Sequence, residues 1–84
     1  MPKVVIYTAL LCPYCEMAKE LLRSKDIAFD EIDVTGQPAL RAQMRARSGG
    51  RSTDPQIWIG ERHIGGCDDL HALDRTGALE PLLA

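Results

Sequence analysis

Two cysteines separated by two residues are the strongest sign of chemistry in this sequence. Cys12, Pro13, Tyr14 and Cys15 form a Cys-x-x-Cys motif, and the third cysteine, Cys67, lies far along the chain. Thiols at positions i and i+3 of a helix share one face, close enough for a disulfide to form and break reversibly. Because thiols inside cells are kept reduced, such a pair indicates redox catalysis or metal binding rather than a structural disulfide.

The residues around the motif predict that the two thiols differ. A β-branched apolar run, 3–8, precedes it, and Pro13 suits the first turn of a helix whose apolar residues then recur at helical spacing. Cys12 therefore falls at a helix N-terminus, where unpaired N–H groups and the helix dipole lower the pKa of a cysteine below its usual value of ~8.5. Cys15 lies one turn further in and should be more buried. We predict that Cys12 is the nucleophile and that Cys15 is the resolving thiol.

Half of a zinc site is the alternative interpretation of the cysteine pair. Zinc sites of this kind require a second pair of cysteines or histidines. The remaining candidates are Cys67, His63 and His71, and none of them forms a pair at a metal-binding spacing. The spacing therefore favours redox chemistry, and we expect no metal.

Composition excludes several other classes of protein. The 84 residues suit one domain, 1–84, and the hydrophobic share of 45% is enough for a packed core. A net charge of −2 disfavours nucleic-acid binding, and the sequence has no apolar run long enough to cross a membrane. The apolar segment that follows Lys3 resembles a signal peptide, but the basic region is one lysine and no cleavage site follows. We therefore expect a cytoplasmic protein.

The apolar patterns predict the order β-α-β-α-β-β-α. The first β-α-β unit implies a parallel strand pair with a right-handed crossover, and Gly60-Glu61 is typical of a tight type II′ hairpin turn. The sheet is therefore expected to be mixed. The predicted strands are 3–8, 28–33, 57–59 and 62–64, and the predicted helices begin at 13, span 37–48, and run from 68 to near 77.

Three motifs together resemble those of the dithiol glutaredoxins of the short bacterial type. They are Cys-Pro-Tyr-Cys between a strand and a helix, then Thr53-Asp54-Pro55, then the run Gly65-Gly66-Cys67-Asp68-Asp69. The resemblance covers essentially the whole chain. It implies an α/β thioredoxin fold whose four-stranded mixed sheet has the order 2-1-3-4. It also implies a glutathione-dependent thiol–disulfide oxidoreductase that reduces protein disulfides and glutathione mixed disulfides. Its partners would be glutathione and disulfide-containing or glutathionylated proteins, and we expect a monomer.

The same resemblance implies a set of residues that bind glutathione. Pro55 would follow a cis peptide bond, so that the backbone of Asp54 pairs with the tripeptide as a short strand would. The start of the last helix would hold the γ-glutamyl end, with Asp69 the better side-chain candidate. Cys67 is expected to serve mainly as a small packing residue. The full set is Tyr14, Thr53, Asp54, Pro55, Gly66, Cys67, Asp68 and Asp69.

Two positions depart from the family pattern. The family commonly has a lysine shortly before the nucleophile, where this chain has Ala9-Leu10-Leu11, and usually a valine where this chain has Asp54. A carboxylate near Cys12 disfavours its thiolate. We therefore expect Asp54→Val to lower the pKa of Cys12 and to tighten glutathione binding. The missing cation could be supplied by Arg41, Arg45 or Arg51.

These departures keep two alternatives open. The first is a redoxin reduced by thioredoxin reductase rather than by glutathione. The second is an iron–sulfur cluster or metal carrier that uses Cys12 and glutathione. Pro13 disfavours the carrier, because cluster carriers of the family usually lack a proline after the first cysteine.

Overall fold

The structure is a computed structural model that describes residues 2–84. Within this range the chain forms four strands and four helices. Three helices alternate with or follow the strands as predicted, and a fourth, short helix ends the chain. The elements are β1 (Val4–Thr8), α1 (Pro13–Ser24), β2 (Asp30–Asp33), α2 (Pro38–Arg47), β3 (Gln56–Ile59), β4 (Arg62–Gly65), α3 (Cys67–Arg75) and α4 (Leu79–Leu83).

The sheet has the order β2-β1-β3-β4, which confirms the predicted order 2-1-3-4. β1 runs parallel to β2 and antiparallel to β3, so Val5 lies between Asp30 on one side and Trp58 on the other. β3 and β4 form the predicted hairpin, and Gly60 has a φ of 61°, as the first central position of a type II′ turn requires. β1 and β3 are therefore the central strands, and the chain that leaves β1 leads directly into the Cys-x-x-Cys motif.

Both faces of the sheet are packed, which is why β1 and β3 are almost continuously apolar. On one face, Ile6 and Ile57 contact Leu22 of α1 and Leu70 of α3. On the other face, Trp58 belongs to a smaller cluster that α2 completes with Met44. The first cluster fixes α1 and α3 on the same side of the sheet, so their N-termini approach each other.

Most predicted boundaries lie within one or two residues of the observed ones, and two differences have a clear structural cause. β4 includes Gly65, one residue beyond the predicted strand 62–64, because a register shift opposite Ile57 and Trp58 accommodates the Gly65 φ of 117°. α4 was not predicted, and it is held by burial of Leu79 and Leu83 in the core. In the described part of the chain, no helix combines the length and the apolar character needed to cross a membrane.

Candidate active site

Cys12 is the N-cap residue of α1, and Pro13 occupies the first helical position. The backbone of Cys12 is extended, with φ of −112°, and the Cys12 side chain lies over the first turn of α1. The backbone N–H of Cys15 donates a hydrogen bond to the Cys12 sulfur over 3.2 Å. The predicted position at a helix N-terminus is therefore confirmed, and the helix supplies a donor directly to this sulfur.

Cys15 lies one turn into α1 and is fully buried, whereas Cys12 is partly exposed. Burial, helped by a hydrogen bond with Cys12 and by the nearby charges of Cys12 and Asp54, raises the pKa of Cys15 to about 12, although a hydrogen bond from the Ala9 backbone opposes this. The accessible thiol and the buried thiol thus have different environments. That difference matches a nucleophile that meets substrate and a resolving thiol that stays protonated until it reacts.

Asp54 contacts both cysteines. The bond between Asp54 and Pro55 is cis, as the resemblance implied. The Cys12 thiol lies 3.7 Å from the Asp54 carbonyl oxygen, and the Cys15 thiol lies 3.7 Å from Oδ2 of the Asp54 carboxylate. The other carboxylate oxygen, Oδ1, lies 3.4 Å from Nη1 of Arg41 in α2. The Asp54 carboxylate is therefore placed between an arginine and the buried thiol.

The segment before β3 that carries Thr53 and Asp54 is held by a buried side-chain network. The fully buried Gln56 donates from Nε2 to the carbonyl oxygen of Thr53 over 2.9 Å and to its hydroxyl over 3.1 Å. Its Oε1 atom lies 2.7 Å from Nε2 of His63 in β4. Burial and then the charge of Arg51 lower the pKa of His63, so a neutral imidazole supports this network at neutral pH.

The start of α3 faces the same region. The Gly66 N–H donates to Oδ2 of Asp69 over 2.8 Å, so Asp69 caps its own helix. The same oxygen lies 3.5 Å from Nη1 of Arg51. Cys67 is buried, and this burial raises the pKa of its thiol, which fits the packing role expected for it.

These elements enclose a cleft of about 350 Å³ beside the cysteine pair. All eight residues predicted to bind glutathione line it, and Arg51 joins them. Sequence reasoning named Arg51 only as one of three candidate cations, and its position two residues before Thr53 was the available signal. The lining residues are Tyr14, Arg51, Thr53, Asp54, Pro55, Gly66, Cys67, Asp68 and Asp69.

Three arginines of α2 and the following loop make different contacts. Arg41 pairs with Asp54, and Arg51 pairs with Asp69. Arg47 stacks over Trp58, with its guanidinium carbon 4.5 Å from the ring centroid. Arg51 is thus the cation that the structure places in the wall of the cleft.

Three potential donor atoms lie within 4.8 Å of one another, namely the sulfurs of Cys12 and Cys15 and a carboxylate oxygen of Asp54. A tetrahedral zinc site of the structural kind has four protein ligands, and thiols must lose their protons before they bind a metal. The raised pKa of Cys15 opposes that loss. These three atoms alone are one ligand short of a structural zinc site.

Comparison with known proteins agrees with this geometry. The sequence model of the glutaredoxin family matches residues 4–64. A glutaredoxin of Pseudomonas aeruginosa is 60% identical over 84 residues, which cover 100% of this chain and 99% of that protein. Glutaredoxin 3 of Escherichia coli K12 is 55% identical over 83 residues, which cover 99% of each. The crystal structure of a buckwheat glutaredoxin–glutathione complex superimposes with a TM-score of 0.87 at 30% identity, covering 98% of this chain and 76% of that one.

The chain therefore belongs to the glutaredoxin family. Its similarity to glutaredoxin 3 along the full length places it with the short bacterial type. It is a glutathione-dependent thiol–disulfide oxidoreductase with the thioredoxin fold. The comparisons do not favour either alternative, the redoxin reduced by thioredoxin reductase or the cluster carrier.

Proposed function

We propose that Cys12 is the nucleophile of this oxidoreductase and that Cys15 is its resolving thiol. The Cys12 thiolate attacks a substrate disulfide, one sulfur of the substrate leaves as a thiol, and the other is held in a mixed disulfide with Cys12. Cys15 or a molecule of glutathione then attacks Cys12 and releases the substrate in reduced form. Two molecules of glutathione, oxidised together to glutathione disulfide, return an internal Cys12–Cys15 disulfide to the dithiol.

One observation carries this assignment. The Cys12 sulfur is partly exposed at the N-cap of α1 and receives the N–H of Cys15, whereas the sulfur of Cys15 is buried. A helix N-terminus stabilises a thiolate, and the thiolate is the form that attacks a disulfide. Pro13 supports the role of Cys12, because it begins the helix at this point. Proline lacks an N–H group, but no intrahelical hydrogen bond requires one at the first helical position.

We propose that glutathione binds in the cleft with its sulfur toward Cys12. The backbone of Asp54 and the side chain of Tyr14 flank the peptide, while Thr53 and Pro55 form the floor beside it. The N–H groups of Cys67 and Asp68 at the start of α3, next to Gly66, donate hydrogen bonds to the γ-glutamyl carboxylate. Arg51 lines the cleft and is suited to a carboxylate of the tripeptide. The buckwheat complex supports this proposal, because a protein of the same fold binds glutathione.

We propose that the Asp69 carboxylate pairs with the γ-glutamyl ammonium and at the same time continues to cap α3. Its Oδ2 atom already accepts from Gly66 and faces Arg51. Its side chain is 49% exposed, which leaves it accessible to a ligand in the cleft. The ammonium therefore competes with Arg51 for one carboxylate, and we expect Arg51 to turn toward the anionic end of the ligand when glutathione binds.

Protein substrates are proposed to dock on the apolar surface around Cys12. Four large apolar side chains are exposed there, on the loop before the motif and on the first turns of α1. This surface suits the apolar surroundings of a partner's disulfide, and it lies beside the nucleophile. The residues are Leu10, Leu11, Tyr14 and Met17. We further propose that the protein acts in the cytoplasm, because its thiols need a reducing compartment. We also propose that it is a monomer without a resident metal.

Two serine variants test the assigned roles. Cys12→Ser should lose reduction of both glutathione mixed disulfides and protein disulfides. Cys15→Ser should keep the reduction of a small glutathione mixed disulfide, because that route needs only Cys12 and glutathione, and should lose the dithiol route. Turnover is measured with glutathione, glutathione reductase and NADPH. Parent-level activity of Cys12→Ser would show that the assignment is wrong, and thioredoxin reductase in place of glutathione tests the alternative reductant.

A further inference from the structure

We propose that the carboxylate of Asp54 is catalytic, and that it accepts the proton of the Cys15 thiol as Cys15 attacks the mixed disulfide on Cys12. The inference rests on the roles proposed above for Cys12 and Cys15. It assigns a function to the Asp54 side chain, whereas the proposed glutathione binding uses only the Asp54 backbone.

The reaction needs a proton acceptor because the attacking sulfur is buried. Burial, the largest of the causes, raises the pKa of the Cys15 thiol without needing an ionised Cys12, so little of Cys15 is thiolate at neutral pH. A thiol is a poor nucleophile toward a disulfide compared with its thiolate. A base within hydrogen-bond reach that takes the proton during the attack removes this limitation.

The Asp54 carboxylate has the geometry of such a base. Its Oδ2 atom lies 3.7 Å from the Cys15 sulfur, within reach of an S–H donor. Its Oδ1 atom faces Nη1 of Arg41 at 3.4 Å, and the same nitrogen donates to the carbonyl oxygen of Ser52 over 3.2 Å. Arg41 therefore orients the carboxylate so that one oxygen is left for Cys15. The Asp54 side chain is 21% exposed, so the proton has a short path from Oδ2 to water.

Attack of Cys15 on the mixed disulfide forms one bond and breaks another. The Cys15 sulfur forms a bond to the Cys12 sulfur, and the bond between Cys12 and the substrate sulfur breaks. The bonding pair leaves with the substrate sulfur, which is reduced, while Cys12 and Cys15 together become the oxidised disulfide. The proton of Cys15 moves to Oδ2 of Asp54 and from there to solvent, and the released substrate thiolate takes a proton from water.

A purely electrostatic role for Asp54 predicts the opposite effect. The negative charge of Asp54 contributes to the raised pKa of Cys15. If the charge acted only in this way, its removal would ease ionisation of Cys15 and speed the attack. If the carboxylate accepts the proton, its removal slows the attack. The sign of the change therefore separates the two roles.

The test uses the full chain and follows each thiol separately. The reduced protein is mixed with one equivalent of dithiobis(nitrobenzoate), an aromatic disulfide that releases a coloured thiolate. Attack by Cys12 releases the first thiolate, and attack by Cys15 on the resulting mixed disulfide releases the second. The first phase depends on reagent concentration and the second does not, so stopped-flow absorbance resolves the two rates.

We expect Asp54→Asn, which keeps the shape of the side chain, to slow the second phase by roughly 10²-fold, the usual contribution of a general base. The first phase should stay equal or become faster, because a negative charge near Cys12 has been removed. The pH profile supplies a further readout. The second phase of the parent should change little around neutral pH, whereas that of Asp54→Asn should rise about tenfold per pH unit as hydroxide replaces the carboxylate.

Several charged or titratable groups share the surroundings of Asp54 and could affect this profile. They come from α1, from α2, from the loop before β3 and from the start of α3 across the cleft, and they are Cys12, Tyr14, Cys15, Arg41, Arg51, Asp68 and Asp69. The Asp54→Asn and parent proteins share all of them, so the difference between their profiles reports Asp54 alone.

Two controls complete the experiment. Asp54→Glu should recover part of the second phase because it restores a carboxylate, and added formate should speed the second phase of Asp54→Asn but not that of the parent. A second phase of Asp54→Asn that equals or exceeds that of the parent would overturn the inference. A first phase that survives in Cys12→Ser would instead refute the proposed nucleophile, so the two failures are distinguishable.

Discussion

Gly65 at the end of β4 is the position where one added methyl group should disturb the cleft most directly. Its φ is 117°, in a region that side chains rarely adopt. A Cβ atom at this position would overlap the Asp69 carboxylate, lying 2.7 Å from its Cγ atom, and would approach Nη1 of Arg51 to 2.9 Å. Gly65→Ala therefore combines backbone strain with displacement of the residue that caps α3.

The two contributions can be separated with a matched glycine. Gly50 has a φ of 103° and open space where a Cβ atom would lie. Gly50→Ala should therefore cost about 1–3 kcal/mol in free energy of unfolding from strain alone. Gly65→Ala should cost about 1–2 kcal/mol more, because the Asp69 carboxylate must leave the Gly66 N–H and α3 loses its cap.

Thermal unfolding and steady-state kinetics test this prediction together. For a domain of this size, an extra 1–2 kcal/mol lowers Tm by about 4–16 °C more in Gly65→Ala than in Gly50→Ala. The KM for glutathione should rise in Gly65→Ala only, because the Asp69 and Arg51 side chains line the cleft. Equal losses of Tm in the two variants would refute the reasoning, since they would show that the Asp69 carboxylate moves aside freely.

Two further predictions concern side chains outside the cleft. The Thr8 hydroxyl, and then the Lys19 ammonium, lower the pKa of Glu31, although burial opposes them. The ionised carboxylate therefore stabilises the folded protein at pH values above its unfolded pKa of ~4.3. This stabilisation is lost as the pH falls through the lower pKa of the folded state. Glu31→Gln should therefore lower the free energy of unfolding by about 1 kcal/mol at pH 7, a value reduced by solvent exposure, and urea titrations should show no difference from the parent in strong acid. Arg47→Met should lower the free energy of unfolding by about 0.5–1 kcal/mol, because the exposed guanidinium group stacks on the ring of Trp58. Glutathione-dependent turnover should be unchanged in Arg47→Met, and a loss of turnover without a loss of stability would contradict this structural role.

The features that the sequence predicted well depend on short segments. The role of Cys12 as an N-cap follows from its place between β1 and Pro13, and both signals are within a few residues of it. The parallel pair of β1 and β2 and the hairpin of β3 and β4 follow from local crossover and turn signals, whereas the full strand order was implied by the resemblance to a family. The lining of the cleft was also named through that resemblance rather than from local patterns.

The features that the sequence did not predict depend on tertiary packing. Arg41 and Asp54 are 13 residues apart, and only the placement of α2 against the segment before β3 brings them together. The contact between the Asp54 carboxylate and the Cys15 sulfur was also not predicted, because the sequence analysis considered the effect of this carboxylate on Cys12 alone. α4 is five residues long and contains Pro81, so its local sequence does not favour a helix, and burial of Leu79 and Leu83 stabilises it.

The composition of β2 has a consequence for behaviour at high concentration. As the first strand in the order β2-β1-β3-β4, it presents one free edge of the sheet, and such edges are templates for pairing with another chain. Three of its four residues, Asp30, Glu31 and Asp33, carry carboxylates. A second copy aligned along this edge would bring two acidic rows together. The strand should therefore resist edge-to-edge aggregation, and this protection should weaken in acid, where the carboxylates lose their charge.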